Sequence, residues 1–189
     1  MPFGPAADMW SAMSERPLSE YRVEKKRAAA ELTLTTGAIV KGHFFLWDAS
    51  QSHAGPERVA DLLNESLGFF PFELEDGQTA LYNRTQVVKV RLPGNSGEPR
   101  LEPGYEVATR RVVAMLLSTG DRVSGIVSVF RPQGRDRLSD YARSDEVFRY
   151  VEADEQTWIV NSFHLVEIRE LPCRERHVTP EPARRDQRR

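Results

Sequence analysis

The sequence predicts a mainly β protein made of two tandem copies of one small β-barrel, each with a short inserted helix. Three observations predict this fold. Two stretches of the chain repeat each other, apolar and polar residues alternate within them, and a glycine lies in the middle of a long predicted strand in each copy. Alternation with a period of two residues is typical of a half-buried strand.

The repeat is carried by two blocks that keep their order along the chain. Residues 34–42 (LTTGAIVKG) and 117–125 (LSTGDRVSG) share Leu, Thr, Gly, Val and Gly at a constant offset. Residues 76–83 (DGQTALYN) and 154–161 (DEQTWIVN) share Asp, Gln, Thr and Asn. We therefore predict a duplication. Units this small bury only about 60% of their unfolded surface, so we expect the two copies to pack on each other.

The repeat divides the chain into five segments. The sequence PGNSGEP, rich in Pro and Gly, reads as a linker between the copies. The last segment is charged and interrupted by prolines, which predicts disorder. The segments are an N-terminal extension (1–17), a first repeat (18–92), a linker (93–100), a second repeat (101–171) and an Arg/Pro-rich tail (172–189).

Each copy begins with two predicted strands. Leu32 and Leu34 alternate with threonines, and the Thr-Gly pair at 36–37 supplies a turn, because glycine tolerates positive φ. The next strand carries Gly42 on the same face as its apolar residues. A glycine on the inward face allows a strand to bend over a small core.

A short helix and three further strands complete the copy. Val59, Leu62 and Leu63 fall at helical spacing after a polar loop, which predicts a short inserted helix. Strands are predicted at 68–74, 79–82 and 86–91, and a tight turn joins the last two.

This order of elements resembles the Sm-like branch of the SH3-type barrels. The resemblance is carried by Leu-x-x-Gly-x-x-Val-x-Gly (34–42 and 117–125) and by the closing patterns Leu81-x-Asn83-x-x-x-Val87 and Ile159-x-Asn161-x-x-x-Leu165. It implies a small barrel that binds partners through strand edges and loops. The sequence departs from the family in placing its helical patch inside the barrel. It also lacks the Arg-Gly pair of the family's final turn, so no uracil pocket is inferred.

No catalytic, cofactor or metal site is predicted. The four histidines, at 43, 53, 164 and 177, show no ligand spacing and are expected to be solvated. The single cysteine, Cys173, has no base held near it, and no phosphate-binding glycine loop occurs. We therefore expect a protein that is not an enzyme and binds no cofactor.

The repeated polar residues are candidate partner-binding residues. Arg58 and Asp61, and likewise Arg137 and Asp140, lie three apart on the helical patch, where an ion pair forms easily. Two asparagines, Asn83 and Asn161, occupy the tight turn, where asparagine caps backbone groups. Two interpretations stay open: structural contacts duplicated with the fold, or residues that line a shared ligand groove.

Aromatic residues are concentrated in the first copy. In one register, alternation turns Phe44 and Phe72 inward, which leaves Phe45 and Phe70 as candidate surface residues together with Trp47. Exposed apolar patches mark protein contacts. These three aromatic residues complete the set of candidate partner-binding residues.

The charge distribution argues against binding of nucleic acid by the folded part of the chain, and the lack of targeting signals predicts the location. The tail holds six Arg against three acidic residues, leaving 20 basic and 25 acidic residues elsewhere. The chain outside the tail is therefore net negative, and a negative surface repels a phosphate backbone. No apolar run is long enough for a membrane span and no secretory signal is found, so a cytoplasmic location of bacterial type is expected.

The leading hypothesis is an adaptor or scaffold that binds an unidentified protein through strand edges and aromatic surface. The alternative is an RNA-binding or other nucleic-acid-binding protein of Sm-like type that uses the Arg-rich tail. An oligomer is compatible with either hypothesis.

Overall fold

The computed structural model describes residues 25–172, except 51–52, 66–67, 95, 132–133 and 135. The predicted N-terminal extension and all of the tail beyond Pro172 lie outside the described residues. None of the helices in the described part is long and apolar enough to cross a membrane.

Ten strands and two short helices make up the described chain, so the mainly β class is confirmed. The first half contains β1 (Lys26–Leu34), β2 (Ile39–Leu46), α1 (Val59–Asn64), β3 (Phe69–Leu74), β4 (Thr79–Asn83) and β5 (Val87–Leu92). The second half contains β6 (Thr109–Leu117), β7 (Arg122–Val129), α2 (Leu138–Ala142), β8 (Phe148–Glu152), β9 (Thr157–Asn161) and β10 (Leu165–Glu170). Short 3₁₀ turns are found at Arg84–Gln86, Glu98–Leu101, Tyr105–Val107 and Ser162–His164.

All ten strands belong to one antiparallel sheet in the order β10-β6-β7-β8-β9-β5-β1-β2-β3-β4. The sheet is not closed, which differs from the expected pair of separate barrels. The reason is that β5 pairs with β9 and so joins the two halves through backbone hydrogen bonds. Two strands, β4 and β10, are left at the edges.

The two halves repeat the same strand order and register. Each half follows the pattern fifth-first-second-third-fourth strand. Ala30 lies opposite Gly42, and Val113 lies opposite Gly125 at the matching place in the second half. The pairing of the last strand with the first is interrupted by an irregularity in both halves. We therefore call residues equivalent when they occupy the same place in the two halves.

The glycine in the second strand of each half is required by a close backbone approach. A Cβ atom on Gly42 would lie 1.9 Å from the carbonyl oxygen of Glu73, and one on Gly125 would lie 2.4 Å from that of Glu152. No side chain fits at these distances. The glycine therefore allows the backbone of the neighbouring strand, β3 or β8, to approach closely.

Two apolar clusters form the core, and each takes residues from both halves. The first contains the large side chains of β1, β2, α1 and β3 together with Phe148 and Ile159 from the second half. The second contains side chains of β6, β7 and α2 together with Val88 from the first half. The halves thus complete each other's cores.

One predicted surface residue is buried. Phe70 is 1% exposed and packs against Phe44, with the ring centroids 5.4 Å apart, so its expected surface position is wrong. Side chains two apart on a strand share a face, and Phe70 must therefore point inward with Phe72. The exposed aromatic residue of this strand is Phe69.

Candidate functional site

The helical-patch residues Arg58 and Asp61 belong to a partly buried ionic network. Asp61 accepts hydrogen bonds from the Arg58 side chain at 2.6 and 2.9 Å and from the Arg58 backbone nitrogen at 2.9 Å. Arg58 also pairs with Glu102, at 2.7 Å, from the segment that leads into the second half. These contacts tie α1 to the connecting chain, which favours the structural interpretation of the pair.

His53 completes this network, so the expectation that its side chain is solvated is wrong. Its Nε2 atom lies 2.7 Å from Asp61 Oδ2, and its side chain is 11% exposed. The hydrogen bond with Asp61 raises the pKa of His53, although burial acts in the opposite direction. Burial would raise the pKa of Asp61, but the hydrogen bonds from Arg58 and His53 lower it.

The equivalent pair in the second half is looser. Asp140 accepts a hydrogen bond from the backbone nitrogen of Arg137 at 3.1 Å, as Asp61 does from Arg58. Both acidic residues lie at the third position of a short helix and accept from the backbone of the N-cap residue, the contact of a capping box. Asp140 also lines a cavity.

This cavity, of about 220 Å³, lies between β7, α2 and β8. Its carboxylates, Glu102, Asp140, Glu146 and Glu152, outnumber its arginines. The buried Ser128 hydroxyl on its wall has no hydrogen-bond partner among the described residues. Across the described chain, no three His, Cys, Asp or Glu side chains are grouped to hold a metal ion. The cavity thus offers an acidic lining without a recognisable catalytic arrangement.

Of the other candidate aromatic residues, Trp47 is 36% exposed and Phe45 is half-buried. Lys25 Nζ lies 4.1 Å from the centroid of the Trp47 ring. The Trp47 backbone nitrogen donates to Glu57 at 2.7 Å. Trp47 and Phe45 are therefore accessible in part.

The two turn asparagines play the same local role. Asn83 accepts a hydrogen bond from Thr85 N at 3.0 Å, and Asn161 accepts one from Phe163 N at 3.0 Å. Asn161 also donates from Nδ2 to the carbonyl oxygen of Val87, at 2.8 Å, in the other half. The turn cap predicted for these residues is present, and in the second half it also joins the halves.

We call the contacts around the β5–β9 pair the internal junction. The register places Lys89 opposite Val160, Val90 opposite Ile159, Arg91 opposite Trp158 and Leu92 opposite Thr157. The junction also buries apolar side chains that point away from their own half. Phe148 and Ile159 are at most 2% exposed there, and Val88 is fully buried.

The equivalent apolar side chains are exposed at the free edges of the sheet. Phe69, equivalent to Phe148, is 63% exposed, and Leu81, equivalent to Ile159, is 68% exposed. We call β4 with Phe69 the β4 edge. No charged residue lies on β4, whereas edge strands commonly carry charges that prevent pairing with another chain.

The opposite end of the sheet repeats this situation. Val166, equivalent to the buried Val88, is 64% exposed, and Phe163 beside it is 70% exposed. We call β10 with Phe163 the β10 edge. Three charged residues on β10 partly protect this edge.

These edge residues are not among the candidate residues predicted from the sequence. A signal was present: Phe69 and Phe148, Leu81 and Ile159, and Val88 and Val166 are apolar in both copies. Their alternation places them off the core face of their own half.

Comparison with known proteins gives no match. No family model, no curated protein and no solved structure is significantly similar to the chain.

Proposed function

We propose that the chain is a non-enzymatic protein-interaction module, built from two repeats of a small Sm-like β-unit, that binds protein at the free edges of its sheet. The observation that carries this proposal is the exposure of Leu81 and Phe69 beside an edge strand without charges. An unpaired strand offers backbone groups to an added strand, and the apolar side chains next to it supply buried area.

The internal junction supports the proposal because it shows what these surfaces do when they are covered. There the equivalent strands pair, and the equivalent apolar side chains are buried. Each free edge therefore offers unpaired backbone groups to a β-strand of the partner and apolar side chains to an apolar patch on the same partner.

Photo-crosslinking at the edges tests the proposal. A benzophenone amino acid is placed at Leu81 or at Val166 of the full chain and irradiated in the source cell. We expect adducts with polypeptides from both positions, because both side chains would lie within a contact. Val107 is the matched control, since it is apolar and 88% exposed but lies on neither edge.

Two outcomes would overturn the proposal. Edge positions that give no more adduct than Val107 would show that the edges bind nothing. Adducts that ribonuclease removes and protease leaves intact would favour the nucleic-acid alternative.

A further inference from the structure

We propose that the β4 edge of one molecule binds the β10 edge of a second copy, in the geometry of the internal junction. This inference rests on the proposed function, since it names the partner of the same two edges. It follows from the repeat: β9 is equivalent to β4 and β5 is equivalent to β10, so the chain already contains one example of the contact.

The backbone pairing can be transferred by equivalence. The internal junction is antiparallel and pairs four residues of each strand. Between two copies, the same register places Glu167 opposite Tyr82, Ile168 opposite Leu81, Arg169 opposite Ala80 and Glu170 opposite Thr79.

The apolar side chains of the two edges complement each other. In the internal junction, Ile159 enters the core of the first half and Val88 enters the core of the second half. Leu81 and Val166 take these places between copies, and both are now largely exposed. Burying them would remove apolar surface from water, which is the main driving force of association.

One hydrogen bond across the internal junction has an equivalent donor and an equivalent acceptor at the two free edges. Nδ2 of Asn161 donates to the carbonyl oxygen of Val87. The equivalent atoms are Nδ2 of Asn83 and the carbonyl oxygen of Leu165. In the described part of the chain, Asn83 Nδ2 donates to no other group, so it is free to bond across copies.

A second hydrogen bond is retained in the same way. Arg91 Nε donates to Gln156 Oε1 at 2.9 Å across the internal junction. The equivalent residues are Arg169 and Gln78. Both residue types are thus present on opposite edges. Arg169 Nε now pairs with Glu167 on its own strand and exchanges that partner for Gln78 in the proposed register.

Some internal contacts have no counterpart, so the contact between copies is weaker. Lys89 pairs with Asp121 at 2.8 Å and lies 4.9 Å from the Trp158 ring, but its equivalent is Glu167. Asn64 bonds both backbone groups of Phe148, at 2.8 Å each, but its equivalent is an arginine. We therefore expect an association that depends on concentration.

The contact joins two different surfaces and is therefore heterologous. Every copy that binds through one edge leaves the other edge open, so growth continues until the copies close into a ring or extend as a filament. A dimer that pairs identical edges, β4 with β4 or β10 with β10, does not satisfy the proposal.

Sedimentation of the full chain with single-edge variants tests the inference. The wild type is expected to form species larger than its 21.5 kDa monomer as concentration rises. Leu81→Glu blocks only the β4 edge and Val166→Glu blocks only the β10 edge. Either variant alone should stay monomeric, because all copies carry the same blocked edge and so none offers a partner for the edge that is still intact.

Mixing the two variants gives the decisive result. The intact β10 edge of Leu81→Glu fits the intact β4 edge of Val166→Glu, so a 1:1 mixture should form a heterodimer that grows no further. This product also shows that both variants fold. Val107→Glu is the control and should assemble like the wild type.

Three results would overturn the inference: a wild type that is monomeric at all concentrations, a mixture without heterodimer, or self-association of either single-edge variant alone. If edge crosslinks then still captured other proteins, the proposed function would stand with a different partner. If the edges captured nothing, both proposals would fail.

Discussion

At Gly42 and Gly125, the chain has room for a hydrogen atom but not for a methyl group. The limiting neighbour is a backbone carbonyl in both cases, which moves only if β3 or β8 shifts. Both positions hold glycine because the backbone of the third strand approaches that of the second strand at the same point in each half.

We predict that Gly42→Ala and Gly125→Ala each lower the free energy of unfolding by about 1–3 kcal/mol, the usual cost of overpacking. The larger loss should come from Gly42→Ala, where the added carbon would come closer to the carbonyl oxygen. Urea denaturation measures both. Ser124→Ala, at an exposed neighbouring position, should stay within about 0.5 kcal/mol of wild type. Equal stability of all three variants would contradict the contact.

His53 shows how a residue expected in solvent acquires a structural role. Residues 51–52 before it are not described, but its ring contacts Asp61 in a network with Arg58. The pairing joins the long loop after β2 to α1. The sequence of the polar loop gives no sign of this contact, because it depends on how the loop folds back onto α1.

Stability should fall as pH rises through the pKa of His53. The folded-state pKa of His53 is raised, so its stabilising contribution is fully present below the unfolded value of 6.5 and is lost above the folded value. Denaturation midpoints at a series of pH values from 5.5 to about 8.5 measure this slope. His53→Gln should flatten the curve in that window. A wild-type curve already flat there would rule out the pairing.

Among the elements, the 3₁₀ turn at Glu98–Leu101 joins the two halves outside the sheet. Glu98 Oε2 accepts hydrogen bonds from Tyr150 Oη at 2.7 Å and from the Val59 backbone nitrogen at 3.2 Å. Burial raises the pKa of Glu98, and these two hydrogen bonds oppose the shift. The predicted linker thus contains a residue that holds α1 against β8.

We predict that Glu98→Gln is at least as stable as wild type at neutral pH. The amide oxygen can accept both hydrogen bonds without the cost of burying a charge. Glu98→Ala should instead lose about 1–3 kcal/mol, because two donors are left without a partner. Thermal unfolding of both variants at pH 7 compares them. A loss in Glu98→Gln equal to that in Glu98→Ala would mean that the charge itself is required.

The individual elements were largely predictable, and their pairing was only partly so. Predicted strands at 68–74, 79–82 and 86–91 lie close to β3, β4 and β5, because alternation and turn residues are local signals. The predicted surface position of Phe70 is wrong, because Phe70 lies two residues from Phe72 and shares its inward face of β3. The β5–β9 pairing joins residues about 70 positions apart, and no local pattern determines which strand β5 selects.

At the scale of the whole molecule, each half supplies side chains to the other's core. Val88 is fully buried in the second cluster, whereas its equivalent Val166 is 64% exposed. Two identical residue types in equivalent strands therefore differ only in whether a partner strand covers them. The sequence shows that these residues are apolar and off the core face of their own half, but it does not show which of them a partner strand covers.

Val88→Ala should lower the free energy of unfolding by about 1–3 kcal/mol, through lost burial and a remaining cavity. Val166→Ala should change it by less than about 0.5 kcal/mol when measured on the monomer. Because the cores are shared, both variants and the wild type should unfold in one transition by circular dichroism and by Trp fluorescence. Two separate transitions would show that the halves are stable independently.

The internal junction also has a consequence for synthesis. β5 leaves the ribosome before its partner β9, and the interval at roughly 5–20 residues per second is about 4–14 s. During that time a nascent first half presents Val88 and the edge of β5 that later pairs with β9 to its surroundings. Nascent chains on the same mRNA can then pair β5 of one chain with β9 of another. Slow translation between the two halves would therefore favour strand-swapped oligomers.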